Sequence, residues 1–240
     1  MSEFEQSRWA DSTFSQEYLA SADHYIPDRF HLFHVLRSFF RAFVAQPNCV
    51  QVCDLGCGDG ILTDHLLREG SPIECTLVDG SIEMLQAARK RFTERANLTY
   101  VKMGFDELIA DSSSLGRFHF IISSFAIHHL QREPRQRLFA TALKHLEPGG
   151  CFMNVEATLP DHSTFTEWYY ELWREWIVRR GQLLGLGDRF VGVPQQARDN
   201  PDNQYSPLGE QLADLTAAGF AEVECHYKNG MFAIYTGRRR

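Results

Sequence analysis

The sequence contains no stretch of about 20 consecutive apolar residues, which is the length that a membrane-spanning helix needs. Its N-terminal segment, MSEFEQSRWADS, lacks the cationic and then apolar layout of a secretory signal. We therefore expect no membrane association and a cytoplasmic location.

Basic residues are too few for a large nucleic-acid-binding surface. The 240 residues include 24 Lys and Arg against 31 Asp and Glu, a net charge of −7, whereas proteins that bind duplexes carry a basic surface. None of the six cysteines forms the C-x-x-C pair typical of zinc and redox sites. We expect no bulk nucleic-acid binding, no metal, and buried free thiols in a reducing compartment.

What the sequence does contain is a regular alternation of short apolar strands with amphipathic helices. We predict five strands, at residues 49–53, 73–78, 98–102, 118–123 and 151–155. This alternation is typical of βαβ units around a parallel sheet. A helix near Leu208 to Ala218 and two strands joined by Lys228-Asn229-Gly230 follow. Because Asn-Gly between two strands indicates a hairpin, the last strand should run antiparallel.

Two regions depart from this rhythm within what we predict to be one domain, residues 1–240. Residues 1–45 form a predicted helical cap, with two helices between Trp9 and Val44 and a break at Ile26-Pro27. Residues 158–206 form an insertion that opens with an aromatic helix, in which Thr164 and Glu167 have the spacing of a capping box.

The segment VCDLGCGDG, residues 52–60, forms a predicted turn between the first strand and the first helix of the sheet. Its glycines allow the backbone to approach a ligand closely, and the helix that follows presents unpaired N–H groups. The spacing is not the G-x-G-x-x-G of dinucleotide-binding proteins. With Gly56 and Gly58 as its first two glycines, that motif would need a third glycine at position 61, which is Ile. A second acid, Asp79, closes the next strand, and Ser81 is the predicted cap of the helix that follows it. No triphosphate-binding loop is present in the sequence.

The chain resembles the class I S-adenosylmethionine (SAM)-dependent methyltransferases from Val50 to Arg238. Six motifs in order carry the resemblance: VCDLGCGDG, LVDGSIEML, VKMGFDEL, FIISSFAIHHL, LEPGGCF and AAGFAEVECHYKNGMFAIYTG. It implies an α/β, Rossmann-like, doubly wound seven-stranded sheet of order 3-2-1-4-5-7-6, in which strand 7 alone is antiparallel. It also implies SAM as the cofactor and S-adenosylhomocysteine (SAH) as the product.

The family pattern assigns the predicted cofactor residues. Asp54 suits the cationic ligand, and Asp79 would accept hydrogen bonds from the ribose hydroxyls. Met84 would also contact the cofactor, and ordinary packing within its helix is an equal interpretation of this residue. The other residues that the resemblance places around the cofactor are Tyr25, Arg29, Gly56, Gly58, Gly80, Gly104, Phe105, Asp106, Ser123 and Ser124.

His128 and His129 follow the fourth strand at the edge where ligands of open α/β folds bind, so each is a candidate general base. A supporting role for the turn is the alternative for both. Glu156 ends the fifth strand and either faces the acceptor or points to solvent. We predict that the insertion is a lid and that Trp168 and Tyr169 line the acceptor pocket. Packing on the sheet edge or on a dimer partner is the other interpretation of these aromatic residues.

The predicted function is in-line methyl transfer to oxygen, nitrogen or sulfur of a small, partly aromatic or apolar metabolite, by a monomer or homodimer. Such a displacement depends mainly on positioning. One alternative is an enzyme that modifies SAM itself, similar to the carboxy-SAM synthase of tRNA wobble-uridine modification. That chemistry would require convergent arginines. Another alternative is a non-catalytic SAM-binding subunit that stabilises a partner.

Overall fold

A seven-stranded sheet runs through the protein, as seen in a computed structural model that describes residues 21–45, 48–93, 95 and 97–240. Its order is β3-β2-β1-β4-β5-β7-β6. Strands β1 to β5 pair in parallel, and β7 is antiparallel to both of its neighbours. The predicted fold class is confirmed. The strands are β1 (Val50–Leu55), β2 (Ile73–Asp79), β3 (Leu98–Lys102), β4 (Phe118–Ser124), β5 (Leu146–Ala157), β6 (Ala221–Asn229) and β7 (Phe232–Arg238).

Helices cover both faces of the sheet, as a mostly parallel sheet requires. They are α1 (Arg29–Phe39), α2 (Ile61–Leu67), α3 (Ile82–Arg91), α4 (Phe105–Ala110), α5 (Arg132–His145), α6 (Thr166–Leu184), α7 (Val193–Asp199) and α8 (Leu208–Ala218). Buried residues of α1, α2, α3 and α6 pack on one face. Those of α4, α5 and α8 pack on the other. No described helix has the length and apolar character to cross a membrane.

The N-terminal segment is helical at residues 21–25 and again in α1, which continues as a π-helix over Phe40–Val44. The break between these helices falls at Ile26-Pro27. The part of the predicted first helix between Trp9 and residue 20 lies outside the described residues. All six cysteines are free thiols, and Cys49 and Cys225 are only partly buried.

Two local predictions differ from the structure. Strand β5 begins at Leu146, earlier than predicted, because Leu146 pairs with Phe118 ahead of a register irregularity. The predicted capping box at α6 is wrong, because the helix begins at Thr166 without a side-chain cap. Glu167 instead forms an ion pair with Arg198 of α7.

Candidate active site

A cavity of about 450 Å³ opens at the carboxyl ends of β1, β2 and β4. Parallel strands place the polar residues that follow them at this edge of the sheet. Most of the predicted cofactor residues line this cavity: Arg29, Asp54, Gly56, Gly58, Asp79, Gly80, Met84, Gly104, Phe105, Asp106 and Ser124. Of the other two, the Ser123 hydroxyl donates to the Leu55 carbonyl, 2.7 Å away. The Tyr25 carbonyl accepts a hydrogen bond from Nε1 of Trp173 at 2.6 Å.

The glycine turn brings the backbone close to the opposite wall of the cavity. Gly56 has a φ of 65°, and a Cβ atom there would lie 2.5 Å from Cβ of Ala126. Its N–H donates to the Val78 carbonyl at 2.8 Å, which ties the turn to β2. Glycine is therefore required at this position on both conformational and steric grounds.

Asp54 lines the cavity and has one carboxylate oxygen without a hydrogen-bond partner among the described residues. The residue is 1% exposed, and its Oδ2 accepts a hydrogen bond from the Thr63 hydroxyl at 2.8 Å. Its Oδ1 has no hydrogen-bond partner among the described residues. Burial, together with the nearby Asp79 charge, raises the pKa of Asp54 to about 7. A cation beside Oδ1 would offset this cost of burial.

Asp79 holds the turn and the start of α3. Its Oδ2 accepts the Gly58 N–H, and its Oδ1 accepts the Ser81 N–H, both at 2.8 Å. Burial raises the pKa of Asp79 to about 6. The predicted helix cap at Ser81 is confirmed, since its hydroxyl accepts the Met84 N–H. Because each carboxylate oxygen has two lone pairs, Asp79 retains the capacity to accept from a ligand.

Arg29 supplies a guanidinium to the same cavity. One of its terminal nitrogens lies 2.6 Å from the Asp23 carboxylate. Its Nε is buried and has no hydrogen-bond partner among the described residues. Arg29 therefore retains donor capacity that a carboxylate ligand could use.

His128 pairs with a buried glutamate. Nδ1 of His128 lies 2.6 Å from Oε1 of Glu156, whose side chain is fully buried. The other Glu156 oxygen accepts the backbone N–H of His128 at 3.1 Å. Because a carboxylate only accepts, Nδ1 donates to Glu156, and a neutral ring then has its lone pair on Nε2. The His128 ring does not line the cavity. Its centre lies 4.2 Å from the centre of the His129 ring and 4.9 Å from that of Tyr205.

His129 lines the cavity directly. Its Nδ1 is 3.0 Å from the Asp202 carbonyl oxygen, so Nδ1 is the donor. Burial, and next the neighbouring His128, lower the pKa of His129 to about 3. The ring is therefore neutral near pH 7.

Residues 201–204, at the end of the insertion, complete the wall next to His129. Pro201, Asp202 and Gln204 line the cavity, and the Gln204 N–H donates to the His128 carbonyl at 2.7 Å. Sequence reasoning missed this segment, because its Asn, Asp and Pro residues indicate only a turn. Phe125, which also lines the cavity, was missed as well. It has a φ of 50°, in the left-handed region that bulky residues avoid.

A buried polar network behind Glu156 was also missed. Nδ2 of Asn154 donates to Glu156 and, at 2.7 Å, to the Tyr235 hydroxyl. That hydroxyl donates to Gln211 of α8. These partners are far apart in sequence, so no local pattern indicates the network.

Trp168 and Tyr169 do not line the main cavity. The Trp168 side chain is exposed, at 56%. Tyr169 lines a separate cavity of about 70 Å³ with Trp173 and Phe232. The Lys228 ammonium lies 5.3 Å from the centre of the Tyr169 ring. The described residues contain no group of three or more metal-ligating side chains.

Comparison with known proteins identifies related sequences and folds. Residues 52–150 match a family model described as a methyltransferase domain. Over 199 residues, the chain is 25% identical to the ubiquinone/menaquinone biosynthesis C-methyltransferase UbiE of Shewanella pealeana. The matched region is 80% of this chain and 75% of that protein. A part of 82 residues is 38% identical to the non-reducing polyketide synthase pkbA of Emericella nidulans. This part is 32% of this chain and 3% of that protein.

Two solved structures show the same fold. An O-methyltransferase family protein from Burkholderia thailandensis has a TM-score of 0.70 and 16% identity, covering 98% of this chain and 62% of that one. PigF with SAH has a TM-score of 0.68 and 15% identity, covering 100% of this chain and 63% of that one. The chain thus spans less than two thirds of either solved chain.

Proposed function

The chain contains a class I SAM-dependent methyltransferase domain, whose cofactor is SAM, and from this premise we propose that the protein methylates a small, uncharged, partly aromatic or apolar metabolite. The observation that carries the proposal is the single cavity that brings together Asp54, Asp79 and the turn between them.

The polar groups of the cavity fit the cofactor. SAM supplies an activated methyl group on a sulfonium cation and also carries an amino group, a carboxylate and two ribose hydroxyls. The unsatisfied Oδ1 of Asp54 suits a cationic group. Nε of Arg29 suits the carboxylate, and Asp79 suits the hydroxyls. The volume of about 450 Å³ lies in the range of small-molecule sites.

The charges of the cavity favour an acceptor without negative charge. Arg29 is the one cationic residue among the described lining residues, and acids predominate: Asp54, Asp59, Asp79, Asp106 and Asp202. The wall after β4 is apolar and includes Phe125, Ala126 and Leu130. Because Arg29 is assigned to the cofactor carboxylate, an anionic acceptor would place its negative charge near these acids without a cation to pair it. The same shortage of arginines disfavours the carboxy-SAM alternative.

We assign the proton of the acceptor to His128, in its pair with Glu156. A general base is needed where the acceptor oxygen, nitrogen or sulfur arrives protonated. The buried Glu156 carboxylate orients the ring through Nδ1 and would stabilise the imidazolium that forms. This assignment requires the acceptor to reach Nε2 from the cavity side, past the residues that cover the ring in this structure.

Two measurements test the proposal together. Calorimetry with SAH measures binding at the cofactor site, and incubation of methyl-labelled SAM with a metabolite extract, followed by mass analysis, detects the product. We expect micromolar binding and label on oxygen, nitrogen or sulfur of a neutral compound. Label on carbon would favour C-methylation, the reaction that the name of the UbiE relative gives. Binding without any transfer would favour a non-catalytic subunit.

A further inference from the structure

We propose that Tyr235 is a positioning residue that sets the orientation of the Asn154 amide, which in turn holds the Glu156 carboxylate against His128. The inference rests on the proposed function for its link to methyl transfer. The residues that carry it come from β5, β7 and α8 and are not among those that line the cavity.

Glu156 is a buried carboxylate whose two oxygens each accept two hydrogen bonds. Oε1 accepts from Nδ1 of His128 at 2.6 Å and from the Ala157 N–H at 2.9 Å. Oε2 accepts from the backbone N–H of His128 at 3.1 Å and from Nδ2 of Asn154 at 3.3 Å. Among the described residues, the Asn154 amide is thus the one side chain besides His128 that holds this carboxylate.

The Asn154 amide is hydrogen-bonded on its amino side only. Its Nδ2 donates to Glu156 and, at 2.7 Å, to the Tyr235 hydroxyl, whereas its Oδ1 has no partner among the described residues. Asn154 and Tyr235 are directly opposite in the register of β5 and β7, and both are fully buried. Rotation of the amide by half a turn would place Oδ1 against the Glu156 carboxylate, where two acceptors repel each other. The Tyr235 hydroxyl opposes this rotation as long as it accepts from the amino group.

The direction of the Tyr235 hydroxyl is set by α8. The hydroxyl donates to Oε1 of Gln211, and Nε2 of Gln211 donates to the Ser206 carbonyl at 3.4 Å. A carbonyl only accepts hydrogen bonds, as does the Glu156 carboxylate at the other end of the chain of bonds. The donors between these two ends therefore have one consistent arrangement. Ser206 is itself fixed, since its carbonyl also accepts the Leu159 N–H at 2.9 Å.

Removal of the Tyr235 hydroxyl would leave one hydrogen of the Asn154 amino group buried without an acceptor. A buried donor without a partner is costly, so the amide would turn towards another partner and its bond to Glu156 would weaken. That carboxylate orients the His128 ring through Nδ1. A change on β7 would therefore reach the proposed base through Asn154 and Glu156.

NMR of the unliganded protein measures this effect at the Nδ1 proton of His128, whose signal is identified by its loss in His128→Gln. We expect exchange of this proton with solvent to be about five- to tenfold faster in Tyr235→Phe, as for the loss of one hydrogen bond. Gln211→Met should change exchange in the same direction, because it frees the Tyr235 hydroxyl to donate to Oδ1 of Asn154.

The matched control is Thr236→Val, which removes the hydroxyl of the next residue on β7. That hydroxyl lies 2.8 Å from Nε2 of His226, and its side chain is on the opposite face of the strand from Tyr235. Exchange of the His128 proton should stay at the wild-type rate. A second comparison tests the route through Asn154. Tyr235→Phe should have no further effect in an Asn154→Leu protein, because the amide that it positions is absent.

The link to methyl transfer has its own measurements. Single-turnover transfer from methyl-labelled SAM to the metabolite extract should slow in Tyr235→Phe by a factor similar to that for proton exchange. Calorimetry should show wild-type affinity for SAH in the same protein, because the network lies away from the cofactor residues.

Wild-type exchange of the His128 proton in folded Tyr235→Phe would overturn the proposal, as would equal acceleration in Thr236→Val or a further effect of Tyr235→Phe in Asn154→Leu. Wild-type transfer in Tyr235→Phe, where His128→Ala is slow, would overturn it as well. The lack of an Nδ1 signal in the wild-type protein would contradict the histidine–glutamate pair on which it depends. If Asn154→Leu does not fold, Gln211→Met provides the background for the same comparison.

Failure of the proposed function gives a different result. If His128→Ala transfers methyl groups at the wild-type rate, the assignment of the base is wrong. The exchange measurement needs neither cofactor nor acceptor, so it would still decide whether Tyr235 holds the pair of His128 and Glu156.

Discussion

Asp54 and Asp79 illustrate how single residues define this site. Each ends a neighbouring strand, each is buried, and burial raises the pKa of each above the ordinary value of 3.8. A protein keeps such groups where a ligand compensates their burial. Their positions were predictable from the sequence, because an acid at the end of an apolar strand faces the carboxyl edge of a parallel sheet.

Replacement of Asp79 by alanine should weaken both SAM and SAH by about 1–3 kcal/mol, the usual range for hydrogen bonds to a charged group. The variant loses the acceptor for the ribose hydroxyls and the contacts that hold Gly58 and Ser81. Calorimetry measures the change. Asp111→Ala is the control, because Asp111 is exposed and accepts from the nearby Ser113 N–H. Wild-type affinity in a folded Asp79→Ala protein would contradict the assignment.

His128→Ala should reduce the rate of methyl transfer by about 10²- to 10⁴-fold, the range for a general base. Affinity for SAM should change little, because the proposed partner of His128 is the acceptor. Glu156→Gln should lower the rate as well, since an amide does not stabilise an imidazolium. Single-turnover kinetics with labelled SAM separate the two effects. Loss of SAM affinity with an unchanged rate at saturation would indicate a structural role for His128.

Among the elements, α6 combines buried and exposed aromatic residues on one helix. Trp173 and Ile177 belong to the hydrophobic core, while Trp168 lies near the helix start and is mostly exposed. The helical stripe was predictable from its spacing, but the side on which each ring lies was not. That depends on the N-terminal helices and the β6–β7 turn, which are distant in sequence.

Trp173→Ala should lower the free energy of unfolding by about 3–5 kcal/mol, the usual cost of removing a large buried ring. The hydrogen bond from its Nε1 to the Tyr25 carbonyl is lost as well. Trp168→Ala is the matched variant on the same helix and should have a much smaller effect. Urea denaturation of both proteins gives the comparison. Equal destabilisation would mean that Trp168 is buried in solution, for example at an interface between two copies.

The start of α6 shows a limit of prediction at the same scale. Thr164 and Glu167 have the spacing of a capping box, yet Glu167 binds Arg198, 31 residues further along the chain. A charged partner that tertiary structure brings close competes with a local cap. The Ser81 hydroxyl donates to the nearby Glu83 carboxylate and still accepts the Met84 N–H, so there the predicted cap forms.

At the scale of the whole molecule, the two buried acids make stability depend on pH. Their folded pKa values, about 7 for Asp54 and about 6 for Asp79, exceed the ordinary value of 3.8. The native state thus holds more protons than the unfolded chain between these values. Their contribution to stability is complete below about pH 3.8 and is lost as the pH rises through about 7.

The Asp54→Asn, Asp79→Asn double variant should therefore gain stability relative to wild type as the pH rises from 5 to 8. Asparagine does not ionise, so it avoids the cost of a buried charge. Urea denaturation of both proteins at the two pH values measures the difference, and contributions of other titrating groups cancel in the comparison. A difference that stays constant with pH would contradict the raised pKa values.

The order of the sheet was predicted through six motifs, and the antiparallel last strand also followed from the Asn-Gly hairpin alone. The network from Glu156 through Asn154 and Tyr235 was not predictable. Asn154 and Tyr235 meet because β5 and β7 are neighbours in the sheet, although they are 81 residues apart. Sequence periodicity reports which face a residue occupies but not which side chain it meets there.

Phe125 has a consequence for attempts to engineer this protein. Its left-handed backbone costs roughly 1–2 kcal/mol, and its ring lines the cavity and lies at the edge of Phe232. Glycine or asparagine would relieve the backbone but remove the ring from the cavity wall. A library selected for heat resistance alone would therefore tend to replace Phe125, whereas one selected for turnover would retain it. Divergence of the two selections at this position would show that turnover requires the Phe125 side chain.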